Sequence, residues 1–165
     1  MNETAIGKRR WHWLLISLAI VIADQLSKVY VVNHLGEFEV RSVFPILDVT
    51  LMHNTGAAFS FLASASGWQR WFFIGLAGIV CIALAIWLCR LRVEARPLLA
   101  LALSLVLGGA LGNVIDRIRL GSVVDFIHFH WQLAYFPAFN LADSAITVGA
   151  GCLLLDALFD ARGKR

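Results

Sequence analysis

The stretch Leu98–Ile115, LLALALSLVLGGALGNVI, decides the fold. Its length is close to the ~20 residues that a helix needs to cross the hydrocarbon of a bilayer. Three further apolar runs, Trp11–Val32, Trp71–Cys89 and Leu141–Phe159, have the same character. The chain has 165 residues, of which 59% are hydrophobic, and a mean hydropathy of +0.75, outside the range of ordinary soluble domains. The expected fold is therefore membrane all-α: a single integral-membrane domain over 1–165, built as a four-transmembrane-helix bundle with spans near 11–32, 71–89, 98–115 and 141–159.

Basic residues orient the bundle. Lys8, Arg9 and Arg10 precede the first run, Arg90, Arg92 and Arg96 separate the second from the third, and Arg162, Lys164 and Arg165 end the chain. Nine of the 14 Lys/Arg thus fall on one face if all four runs span, which the positive-inside rule assigns to the cytoplasm. Both termini are expected inside, and the connections 33–70 and 116–140 outside. The net charge of +3 reflects these anchors and gives no argument for nucleic acid. The first run has a basic start and an apolar middle, as a signal peptide does, but no small-x-small site ends it and it continues through Asp24 and Lys28, so it reads as a retained span. Cys81, Cys89 and Cys152 all lie inside runs, so neither a disulfide framework nor a cysteine-based metal site is indicated.

The outer connections carry structure of their own. Glu37–Arg41 alternates polar and apolar residues, Asp48–Met52 is rich in strand formers, and Pro45 lies between them, which predicts a small β-sheet on the outer surface. Val123–Phe129 adds a short strand, and Phe136-Pro137 breaks structure before the fourth span. Ser64–Trp68 reads as a turn, followed by an interfacial aromatic belt of Trp68, Trp71, Phe72 and Phe73. Within the spans, Gly108 with Gly112, Ala145 with Gly149, and Gly75 near Gly78 place small residues where helix backbones approach closely. Gly109 and Gly112 have an alternative use, admitting a substrate backbone.

Asp125 and Asp143 are the candidate chemistry. Each sits at the edge of an apolar stretch, where a carboxylate costs solvation free energy and calls for a partner or a function. Asp24 and Lys28, four residues apart, share a helix face and neutralise each other as an ion pair near the outer boundary. Asn113, Asp116 and Arg117 share a face at the outer end of the third span; Asp116, with arginines at 117 and 119, reads as structural, and Arg117 offers a fork suited to a carboxylate or a backbone carbonyl. Asn140 shares a face with Asp143. Asn54, two residues before Gly56, either caps a turn or hydrogen-bonds an extended peptide.

Other chemistries fit less well. Neither Gly-x-Ser-x-Gly nor His-Glu-x-x-His occurs, and Ser122 and Ser144 lack a visible activating base. His53, His128 and His130 with Asp125 lack the helical ligand pair of a metal site. What remains is a carboxylate dyad, able to activate water and polarise a peptide carbonyl together because adjacent like charges do not both ionise. Two rivals use other features: a proton-coupled transporter with Asp24, Lys28 and Asp143 as relay, against which stands the absence of repeated halves, and a non-catalytic scaffold, which leaves Asp125 without a purpose.

Five blocks appear in order along the whole chain: Asp24-Gln25-x-Ser27-Lys28, Asn54-x-Gly56-Ala57-Ala58-Phe59, Gly108-Gly109-Ala110-x-Gly112-Asn113-x-x-Asp116-Arg117, Val123-Val124-Asp125-Phe126 and Phe139-Asn140-x-Ala142-Asp143. Together they resemble the lipoprotein signal peptidase family, bacterial signal peptidase II. The resemblance implies an aspartic endopeptidase of the bacterial inner membrane that removes signal peptides from prolipoproteins by cutting before a diacylglyceryl-modified cysteine. It implies Asp125 and Asp143 as the catalytic pair, with Asn54, Gly56, Asn113, Arg117 and Asn140 along the substrate groove where globomycin also binds. It leaves Asp24, Lys28 and Asp116 as structural support. It further implies an active site on the periplasmic side, no cofactor or metal, membrane lipid as surroundings, no nucleic-acid partner, and a monomer.

Overall fold

The computed structural model describes residues 11–56, 68–91, 96–132 and 134–163. The basic anchors Lys8, Arg9, Arg10, Arg92, Lys164 and Arg165, nearly all of the Ser64–Trp68 turn, and Ala57, Ala58 and Phe59 of the second block lie outside them. Four helices, α1 (Trp11–His34), α2 (Trp68–Arg90), α3 (Pro97–Leu120) and α4 (Leu141–Gly163), are each long and apolar enough to cross a membrane. Strands β1 (Val40–Phe44), β2 (Leu47–Asn54), β3 (Val123–Trp131) and β4 (Ala134–Tyr135) form one antiparallel sheet in the order β1-β2-β3-β4. Cys81 and Cys89 lie within α2 and Cys152 within α4.

α3 is the centre of the bundle. Of its most apolar window 61% is buried, against 11% for α2, which faces outward over most of its surface. Pro97 starts α3 at its first turn, where a missing N–H costs nothing, and Gly121 ends it at φ 81, its N–H bonded to Arg117 O at 3.2 Å. The helix runs past the expected end at Ile115 to Leu120, so Asp116 and Arg117 belong to the helix rather than to the outer connection. The apolar run ends before the helix does because the last turn is held by this cap and by buried polar partners.

Small residues set the helix spacing, though not all those expected. A Cβ on Gly108 would meet Ser17 O of α1 at 2.7 Å, one on Gly112 would meet Asp24 Oδ2 at 2.5 Å, and one on Gly149 would meet Val106 Cγ2 at 2.7 Å. Gly109 lies against the Ala142 carbonyl and Ile146 of α4. Gly109 and Gly112 therefore admit neighbouring protein elements, not a substrate backbone. Gly75 and Gly78 have nothing within 4 Å of where a Cβ would stand, so the packing role expected of that pair is absent. Towards the end of the bundle away from the sheet, Leu88, Leu99, Ala100 and Leu103 form a buried cluster, and Arg96 pairs with Asp156 of α4.

The sheet begins three residues later than the alternation at Glu37–Arg41 predicts. Gly36 to Glu39 instead make a turn: Glu39 N donates to Gly36 O at 3.0 Å, the Glu39 carboxylate accepts from Gly36 N at 2.8 Å, and Phe38 takes φ 63. A side-chain acceptor for the turn outweighs strand propensity there. Pro45 falls in the two-residue link between β1 and β2, where no ladder N–H is needed. β3 pairs along β2 with a bulge between Val49 and Met52, which places Met52 opposite Asp125. Val31 of α1, Leu51 of β2 and Val124 of β3 then bury together, seating the sheet on the outer end of the bundle.

Candidate active site

Asp125 is the third residue of β3, where the strand enters the bundle, and is only 3% exposed. Its two oxygens are both held: Oδ1 accepts from Asn140 Nδ2 at 2.7 Å and Oδ2 from Asn54 Nδ2 at 3.0 Å. Asn54 ends β2, and its own Oδ1 accepts from Gly56 N at 2.9 Å. Of the two readings of Asn54 left open by the sequence, the structure shows the turn; the other end of the amide holds a carboxylate, a contact that neither reading named. Gly56 supplies the φ of 92 that this turn requires and leaves room for the Phe73 ring, which a Cβ would meet at 2.8 Å.

Asp143 reaches the same place from α4 through a capping box. Asn140 stands just before the helix and accepts from Asp143 N on its Oδ1 at 2.9 Å, while Asp143 Oδ2 accepts in return from Asn140 N at 3.3 Å. Asn113 of α3 donates through Nδ2 to Asp143 Oδ1 at 2.8 Å. Asn140, 0% exposed, is therefore shared: its backbone holds one aspartate and its side chain the other. The spacing Asn-x-x-Asp before an apolar run carries the signal for this cap, which the shared-face reading alone does not capture.

A buried ionic layer supports the pair. Lys28 donates to Asp24 Oδ2 and Asp116 Oδ2, both at 2.8 Å, and to Asn113 Oδ1 at 3.0 Å. The Asp24–Lys28 pair is as expected, but the partner of Asp116 is Lys28 rather than the neighbouring arginines. Gln25, not singled out from the sequence, donates to Asp116 Oδ1 at 2.8 Å, and Val124 N donates to Asp116 Oδ2 at 3.2 Å. Asp24 Oδ1 accepts from Ala142 N at 2.9 Å, so this carboxylate also answers the free N–H groups at the start of α4. α1, α3, α4 and β3 are thereby locked around the two aspartates. Removing one partner from such a layer leaves buried charge unpaired, which is why its value lies in geometry more than in net stability.

Arg117 projects toward both aspartates and Asp116 without a hydrogen bond to any of them among the described residues. Its guanidinium lies 5.5 Å from the centre of the Phe73 ring, and its Nη1 reaches Asn113 O at 3.4 Å. Phe73 of the expected aromatic belt thus turns inward, whereas Trp68, Trp71 and Phe72 are exposed at the outer start of α2. His53 and His130 find carboxylates, Glu37 of the turn before β1 at 3.5 Å and Asp48 of β2 at 3.3 Å. Ser144 donates to Asn140 O at 2.9 Å, a helix contact rather than a nucleophile's.

Two clefts flank the aspartates. One, about 300 Å³, is lined by Met52, His53, Asn54, Thr55, Asp125 and Pro137. The other, about 680 Å³, is apolar and runs along Phe129, Phe136, Phe139, Asp143, Thr147 and Val148.

Burial pushes the Asp125 carboxyl from 3.8 up to about 6; the Asn54 hydrogen bond opposes this, the charge of Asp143 adds to it, and Asn140 and Lys28 oppose it. The Asn54 amide favours the ionised form, so Asn54→Ala raises the Asp125 value further. Where this carboxylate takes part in the reaction, Asn54→Ala should move a limb of the pH–activity profile to higher pH and lower kcat/KM about tenfold, as expected for one lost charge-assisted bond. A limb that stays in place would show that Asn54 does not hold this charge.

Four membrane-length helices with two carboxylates held at the sheet end of the bundle place the chain in the class of multi-pass membrane proteins that carry groups able to do acid–base chemistry. Comparison with known proteins narrows the class. The family described as signal peptidase (SPase) II matches residues 16–159. A lipoprotein signal peptidase of Pseudomonas aeruginosa (strain UCBPP-PA14) is 55% identical over 149 residues, covering 89% of this chain and 88% of that protein. One from Acinetobacter baumannii (strain ATCC 17978) is 52% identical over 147 residues, covering 89% and 83%. A bacterial membrane enzyme solved by the in meso method superposes with a TM-score of 0.82 at 34% identity, covering 93% of this chain and 92% of that one. The chain belongs to the lipoprotein signal peptidase family, aspartic peptidases whose function is to cleave signal peptides from prolipoproteins.

Proposed function

We propose that Asp125 and Asp143 are the catalytic pair and that the scissile bond is the one before a diacylglyceryl-modified cysteine. The observation that carries this reading is the sharing of Asn140 between the two carboxylates, which couples them without a metal-like ligand set. One aspartate, ionised, takes a proton from water as the oxygen attacks the peptide carbonyl; the other, protonated, donates to the carbonyl oxygen. Collapse of the tetrahedral intermediate breaks the C–N bond as a proton passes to the leaving nitrogen. The pair exchanges one proton across the cycle. Asn54, Asn113, Arg117 and Asn140 hold the dyad and the extended backbone; Gly56 contributes the turn that presents Asn54.

The apolar cleft beside Asp143 supports lipid recognition: acyl chains stay in contact with the bilayer while the cysteine backbone reaches the aspartates. Binding energy from such a non-reacting part positions the reacting bond. A precursor without diacylglyceryl should lose most of its cleavage by the purified protein in detergent, whereas equal turnover of both forms would end the lipid-specific reading. Globomycin, as a groove ligand, should protect against cleavage, and the protein acts as a monomer in this reading.

The site faces the periplasm of a bacterial inner membrane, with both termini cytoplasmic, on the strength of the basic anchors. In a cysteine-free background, Ser42→Cys should react with an impermeant thiol reagent in intact spheroplasts and Glu94→Cys should not. The reverse pattern would invert the orientation.

A further inference from the structure

Lys28 is buried in α1, with its side chain 3% exposed, and meets three acceptors with its three N–H groups. Asp24 and Asp116 already supply more negative charge than one ammonium neutralises. The third bond, to Asn113 Oδ1 at 3.0 Å, is therefore not needed for charge balance.

Its consequence follows from the chemistry of a primary amide. With Oδ1 held by Lys28, and also reached by Asn140 Nδ2 at 3.2 Å, the Nδ2 end of Asn113 has to point the other way, and there it donates to Asp143 Oδ1 at 2.8 Å. Reversing the amide would set N–H groups against the ammonium and an oxygen against the Asp143 carboxylate, two repulsive contacts in a buried site. We propose that Lys28 is a positioning residue for the dyad, fixing the Asn113 amide with its donor end on Asp143, in addition to neutralising Asp24 and Asp116. This rests on the reading of Asp125 and Asp143 as the catalytic pair. Lys28 touches neither aspartate of that pair; it acts through Asn113. With Asn113 pinned, Asp143 Oδ1 keeps a fixed donor and the carboxylate keeps one orientation toward water and carbonyl, which is what a proton-transferring group has to have.

The test is a coupling cycle on the full-length protein in detergent with a lipidated precursor. Lys28→Met is combined with Asp116→Asn, which keeps the net charge of the cluster at the wild-type value, and is compared with Asp116→Asn alone. At matched folded protein, kcat should fall at least about tenfold and by more than KM rises, since Asn113 stays in the groove but loses its fixed orientation on Asp143. Adding Asn113→Ala to the Lys28→Met variant should cost little more, whereas Asn113→Ala in the Lys28 background should by itself cost about as much as Lys28→Met. Additive losses, or an unchanged kcat, would confine Lys28 to charge balance and overturn the proposal. Should the combined variant not fold, Lys28→Met with Asp24→Asn, compared with Asp24→Asn alone, keeps the same net charge and gives the same readout: a kcat loss supports the proposal and a normal kcat overturns it. Asp125→Asn runs alongside. If that variant cleaves normally, the catalytic reading and this inference fall together; if it is inactive while the Lys28 variants are normal, only this inference falls.

Discussion

Asp125→Asn and Asp143→Asn should each lower cleavage of a lipidated precursor by at least about 10³-fold, with the double variant little worse than either single one. Each change keeps side-chain shape and removes the ability to give and take a proton, a contribution of about 10²–10⁴ for positioned acid–base groups. The losses do not add because both groups serve one event. Stability changes in a direction the structure fixes for Asp125. Its folded value is raised from 3.8 to about 6, so the folded state binds more proton than the unfolded state between those pH values. Stability contributed by this group therefore declines as pH rises through that window, and ionised Asp125 is a cost at neutral pH. Asp125→Asn removes that cost but turns one acceptor into a donor facing Asn54 or Asn140, so cleavage is compared at matched folded protein. Asp48 is an unsuitable control despite lying outside the blocks: it is buried, accepts from Ser42 Oγ at 2.7 Å and pairs with His130. Glu39→Gln serves instead and should stay active. Near-normal cleavage by either dyad variant, in a preparation free of wild-type enzyme, would remove the assignment of these two residues.

Gly109→Ala should be the most damaging single methyl group in the protein. It would drive a Cβ into the Ala142 carbonyl and Ile146, so α4 has to move away from α3. Overpacking of this kind costs about 1–3 kcal/mol in a well-packed core, and here it also displaces the turn that carries Asn140 and Asp143. Both thermal stability and cleavage should drop. Gly75→Ala is the matched comparison: the same change in a helix with nothing within 4 Å, expected to be neutral or to stabilise by up to about 1 kcal/mol through helix propensity. If Gly109→Ala were as stable and active as Gly75→Ala, the close approach of α3 and α4 would not be what positions Asp143.

Much of this was legible without coordinates. Four spans follow from apolar length alone, because the bilayer sets one dimension that every crossing helix has to meet. The hairpin around Pro45 and the strand containing Asp125 follow from local alternation and from a residue that cannot donate to a ladder. Asp125 and Asp143 stand out because a carboxylate at an apolar edge is costly enough to be informative by itself. The five blocks then tie these residues to one family.

Other features are not written in any local pattern. The sequence spaces Gly75 and Gly78 like packing glycines, yet among the described glycines within the helices Gly108, Gly109, Gly112 and Gly149 are the ones against a neighbouring helix, since which face of an apolar helix meets protein rather than lipid depends on the other helices. Likewise the arginines beside Asp116 looked like its partners, and the fold gave it Lys28 from α1 instead, 88 positions away. The sequence by itself determined the spans, the strand-forming segments and the two candidate carboxylates, because length, periodicity and the cost of buried charge are properties of short segments. Only the tertiary structure decided that Asn140 serves both aspartates, that Asn54 holds Asp125 and that Lys28 reaches Asn113. A hydrogen bond between groups 71 or 85 residues apart exists only once packing has brought its two ends within about 3 Å.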